Sequence, residues 1–177
     1  MRQLENLAWP LILAAATIVG SIAAACMMPF AALATVVAAS MPFRRGVVTV
    51  TAIVAANQAI GFAFLNFPAT LYTAAWGVAL YVATLTALAV AHRTIGNDRD
   101  LVATHLILAC ASAFAAFEAI LFAFANTAGG LETFTPSIIA LLARNEALWL
   151  GALAALRLLA TGWAPAVFGA PPRVRLA

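Results

Sequence analysis

Long apolar runs constrain this chain more than any other feature. A helix needs about 17–25 mostly apolar residues to cross a hydrocarbon core of roughly 30 Å. Runs of that kind occupy residues 7–25, 46–67, 69–91, 101–125 and 136–163, and a shorter one occupies 28–43. They do not alternate between polar and apolar residues as the strands of a membrane barrel would. With 66% of its residues apolar and 8% charged, the chain lacks the polar residues to coat a soluble domain of 177 residues. The expectation is an all-α polytopic membrane protein, a single bundle of about six transmembrane helices over residues 1–177.

The arginines orient that bundle. The chain has no lysine, and its net charge is +3. Arg2 precedes the first run, Arg44 and Arg45 follow the second, Arg93 and Arg99 follow the fourth, and Arg173 and Arg175 follow the sixth. The intervening connections, at 27–29, 66–69 and 126–135, carry none. Six crossings put every loop arginine on one side, which the positive-inside rule makes cytoplasmic, with both termini there. Five crossings would scatter them. The short second run, about 24 Å long at 1.5 Å per residue, is either a short span or a re-entrant piece. The alternation of arginines favours counting it as a crossing. The basic balance thus reads as membrane orientation, not nucleic-acid binding. Trp9 and Trp163 fit interfacial anchors on the arginine side, whereas Trp76 and Trp149 fall deeper.

Arg2 followed by an apolar run and Cys26 resembles a secretory or lipoprotein signal. The chain continues as MMPFAALATVVAAS, without the polar linker that cleavage there requires, so the run is read as a retained helix. Cys26 and Cys110 stand in apolar surroundings and suggest packing, not a disulfide. Cys26, Met27 and Met28 form a sulfur cluster that could suit a soft metal, but consecutive residues seldom converge on one ion. Cys26 is the one metal candidate, and no cofactor is expected. His92 and His105 are too distant along the fold to complete it.

Charges inside a span are costly, roughly 2.5–3.5 kcal/mol on insertion scales, and face the bundle interior. Here they are Glu118, Arg144 and Glu146, with Arg157 near enough to the cytoplasmic end to snorkel. Helical rise puts Glu118 about 10 Å and Arg144 about 12 Å below the outer ends of their helices, so an ion pair between them is expected. Asn57, Gln58 and Trp76 fall at similar levels, and Tyr72 is slightly shallower. Because Arg144, Asn145 and Glu146 are consecutive, about 100° per residue prevents all three from sharing one face. Two readings follow. In one, buried polar pairs fix helix register. In the other, Asn57, Gln58, Tyr72, Trp76, Glu118, Arg144 and Trp149 line an outward-opening cavity for a small, partly polar solute. No nucleophile elbow, metalloprotease helix, phosphate-binding loop or paired CxxC is present, so an enzyme is not expected. Active transport would need an ATP-binding subunit or a gradient.

Ala16, Gly20 and Ala24 form a small-residue stripe in the first helix, of the kind that allows close helix contact. That stripe, the size of the chain, six helices with both termini inside and the outward polar set resemble the S-components of energy-coupling factor vitamin transporters. The resemblance is one of architecture across the whole chain. The segments NQAIGFAFLNFP and TLYTAAWG look like a recurrent bacterial membrane-protein pattern without indicating a ligand. The resemblance implies a bacterial inner-membrane subunit that captures a vitamin or cofactor precursor, cobalamin among the candidates. It also implies that the first helix docks on a transmembrane coupling subunit served by ATPases. The alternatives are a structural or assembly subunit of a larger membrane complex, and an ion-coupled carrier using Glu118 and Glu146.

Overall fold

The computed structural model describes residues 2–23, 28–96 and 103–168, with side chains in the first segment described from Leu7 to Val19. The described residues are helical and contain no strand. The helices are α1 (Arg2–Ala23), α2 (Phe30–Ser40), α3 (Phe43–Phe64), α4 (Leu71–Ile95), α5 (Ala103–Ala128), α6 (Pro136–Trp163) and the short α7 (Pro165–Phe168). Four of them, α3 to α6, are long and apolar enough to span a membrane. The chain is an all-α protein of the multi-pass membrane type.

The breaks follow from local chemistry. Pro42 disfavours a helical Met41, which is extended at φ −151°, so α2 stops and α3 begins two residues later. Asn66 takes a left-handed φ of 56° ahead of Pro68 and ends α3. Thr70 caps α4 by accepting from the Thr73 amide, and Thr135 caps α6 by accepting from Ile138. Pro136 sits in the first turn of α6, where its fixed φ suits a helix start and its missing N–H costs nothing.

The second run is shorter than expected. Its helix covers only Phe30–Ser40, 11 residues rather than 28–43. At 1.5 Å per residue that is about 16 Å, roughly half a hydrocarbon core. It is also the most enclosed element, with every residue from Phe30 to Ala38 buried. α2 packs against α4, α5 and α6, and touches α3. A helix apolar on all sides has no polar face to offer water and takes the centre.

Close packing around α2 rests on small residues. Ala79, Ala83, Ala87 and Ala91 recur every four residues along α4 and all are buried. That row lets neighbouring backbones approach, which is how helices associate where no hydrophobic drive separates them from lipid. The core also contains Thr17, Thr35, Thr84 and Thr161. Each donates its hydroxyl to the carbonyl four residues earlier, so each polar group is satisfied within its own helix. The outer surface is apolar, with Leu71 87% and Trp163 95% exposed. Trp163 thus fits an anchor, but Trp9 does not. Its ring is buried, its Nε1 donates to Ser40 Oγ at 2.9 Å, and Arg157 lies over it at 4.7 Å. The reason is its phase: Trp9, Leu13 and Thr17 form the inward face of α1, four residues apart. Ala16 is half-buried against the core beside that face. Gly20 lies in α1, and Ala24 and Cys26 lie outside the described residues.

Candidate functional site

The N-terminus of α2 poses an accounting problem. A helix begins with four amides that have no partner within it, and in an apolar interior each must find one. Pro29 stands at the cap position with no side chain that can accept. Pro29 has no amide hydrogen to place, Phe30 N donates to Met28 O at 3.0 Å, and Leu33 N to Pro29 O at 2.9 Å is the first regular bond of the helix. The other two amides go to a residue more than a hundred positions away. Ala31 N donates to Glu146 Oε1 at 3.4 Å and Ala32 N to Glu146 Oε2 at 2.6 Å. A carboxylate from α6 thus caps α2, where the helix dipole also favours negative charge.

Glu146 is 6% exposed and is the only buried charged residue among those described. It sits in phase with Leu150 and Leu153, the buried face of α6. Arg144, two residues earlier, is turned about 200° away and is exposed. The expected Glu118–Arg144 pair therefore does not form among the described residues. Depth was matched, but helix phase was not. Glu118 on α5 is half-buried and instead lies within electrostatic reach of Glu146, as does the buried Cys110. Phe30 stacks on Phe117 at 5.8 Å and closes one side of this polar centre.

Nearer the end where α4 and α6 begin, aromatic rings gather. Trp76 meets Phe124 edge-on at 5.0 Å, and Tyr72 meets Trp76 at 6.4 Å. Gly130, at φ 108°, passes so close that a Cβ there would lie 3.0 Å from the Trp76 ring. This position needs glycine on both counts. Helical rise puts Trp76 and Phe124 about 6–8 Å, and Glu118 and Glu146 about 15 Å, below that end of their helices. The aromatic shelf and the carboxylates therefore lie at successive depths.

The other expected residues have different settings. Gln58 faces Gly77 on another side of α4, where a Cβ would lie 2.9 Å from its Oε1. It lines an open cavity of about 380 Å³ between α3 and α4, beside a Thr51–Tyr81 hydroxyl contact of 3.1 Å. Asn57 is half-buried on α3, and Trp149 packs partly buried against the core. The capping role of Glu146 is the feature that sequence reasoning missed. Its signal was a proline-started, uncapped helix with no acceptor of its own. The chain matches no family model, no curated protein and no solved structure.

Proposed function

We propose that this chain is the solute-binding membrane subunit of a bacterial inner-membrane uptake system. In this reading it crosses six times, with α2 making only the inner half of the second crossing and both termini in the cytoplasm. One observation carries the proposal: a half-length helix ends on a carboxylate in the bundle interior, beneath an aromatic shelf at the arginine-free end. Broken helices whose termini meet polar groups at mid-depth are how membrane transport proteins build sites for small solutes. The vitamin or cofactor-precursor class, cobalamin included, rests on the architectural resemblance alone, as does a coupling subunit with ATPases.

The geometry changes the chemistry expected of the solute. An acidic group held by Arg144 loses its support, because Arg144 is exposed on the outside of α6. Glu118 takes its place, half-buried and without a hydrogen bond or ion pair among the described residues. A solute with a planar ring to lie against Trp76 and Tyr72 and an amine or ring N–H to reach Glu118 fits best.

The test is a thermal-shift screen of the detergent-solubilised protein. It would compare thiamine as a cationic ring compound, riboflavin as a neutral one, biotin as an acid, and cobalamin. Saturation at a hundredfold excess over Kd should stabilise the protein by about 2.7 kcal/mol. The compound with a ring and a positive charge should give the largest shift, and Trp76→Ala and Glu118→Gln should each abolish it without unfolding the protein. A second reading, a structural subunit, draws on the fact that both Glu146 oxygens are already taken by α2 amides. A screen with no shift, and no small molecule copurifying, would favour that reading.

A further inference from the structure

A second cavity lies at the opposite end of the bundle, between α1 and α3, floored by α7. Its volume is about 840 Å³, within the range of small-molecule sites. Arg44, Arg45 and Arg157 all line it. Among the described residues no carboxylate pairs with any of the three. Arg157 is held in place, because its guanidinium lies over the Trp9 ring and Trp9 is fixed by its bond to Ser40. From the arginines the cavity runs along α3 to Ala52, about 12 Å by helical rise. That stretch is walled by Leu11, Ala14, Val48 and Ala52, and Leu11 and Val48 are largely exposed. One end is therefore cationic, and the rest is an apolar slot open sideways to the surroundings of the helices.

We propose that this cavity binds one anionic phospholipid, with its phosphate among Arg44, Arg45 and Arg157 and the start of an acyl chain between Leu11 and Val48. Guanidinium forks match phosphate oxygens in pairs, and basic pockets between helices on the cytoplasmic side are suited to anionic headgroups. A free phosphate would satisfy the arginines but would leave the apolar slot unfilled. A zwitterionic lipid would fill the slot but would bring a choline into the cationic end.

The experiment is native mass spectrometry of the full chain titrated in detergent with phosphatidylglycerol, phosphatidylcholine or inorganic phosphate. It would be repeated with Arg44→Gln/Arg45→Gln and, separately, with Ala52→Phe. The double variant alters exposed positions, and Ala52→Phe obstructs the slot without changing charge. One phosphatidylglycerol per chain should be retained, about tenfold more tightly than phosphatidylcholine. Each variant should weaken that retention about tenfold. Equal retention of the two lipids, unchanged retention in either variant, or displacement of phosphatidylglycerol by millimolar inorganic phosphate would each overturn the proposal.

Discussion

Glu146→Ala should be the most damaging single substitution in the bundle, lowering its stability in detergent by about 3–5 kcal/mol. The loss has two parts. Hydrogen bonds to a charged acceptor contribute about 1.5–3 kcal/mol each, and two of them end on this carboxylate. Once it is gone, the Ala31 and Ala32 amides have no other acceptor within a helix start closed by Pro29 and Phe30. Glu146→Gln keeps one carbonyl oxygen for the shorter bond from Ala32 but introduces an amide that needs an acceptor of its own. It should lose roughly half as much. Thermal unfolding in a mild detergent, followed by size-exclusion recovery, ranks the two. Equal stability of Glu146→Ala and the parent would remove the capping role.

Ala87→Leu should be nearly as disruptive, by about 3 kcal/mol, although it replaces one apolar residue with another. Ala87 is fully buried in the middle of the four-spaced alanine row of α4, which packs against α2 and α5. Three added carbons have nowhere to go unless the helices separate, and α2, enclosed on every side, cannot yield. Ala152→Leu, on the exposed side of α6, is the control and should leave the thermal midpoint unchanged. If both substitutions behave alike, the row is not a close contact.

Hydropathy was enough to read the long helices, since run length sets what can cross, but not the break at Pro42, which starts α3 at Phe43, three residues ahead of the apolar run at 46. The second run was harder. Composition counts apolar residues but does not distinguish a helix that spans from one that ends halfway on another helix's carboxylate. Of the expected polar set, Tyr72 and Trp76 lie together and Glu118 is half-buried, whereas Gln58 lies on another side of α4 and Arg144 is exposed. Glu118 and Arg144 matched in depth, but pairing also requires phase, and phase depends on which face of α6 meets α2. The buried face includes Glu146, so Arg144 is turned out. The small-residue stripe shows the same limit. Ala16, Gly20 and Ala24 stand out in the first run, and Ala79, Ala83, Ala87 and Ala91 of α4 form a row at the same spacing that lies in the core. Among so many alanines, spacing alone could not choose between them.

Both proposed sites depend on the two ends of the bundle facing opposite sides of the membrane, the aromatic shelf outward and the arginine cavity inward. The most direct measurement places a short epitope between Gly129 and Gly130 of the full chain and another after Ala177, and probes both with antibody on intact and lysed spheroplasts. The loop between Gly129 and Thr135 contains residues exposed at its tip, and a tag there leaves the helices untouched. The loop tag should be labelled on intact spheroplasts and the C-terminal tag only after lysis. A loop tag reached only after lysis, or a C-terminal tag reached without it, would contradict the orientation and the outward-facing site with it.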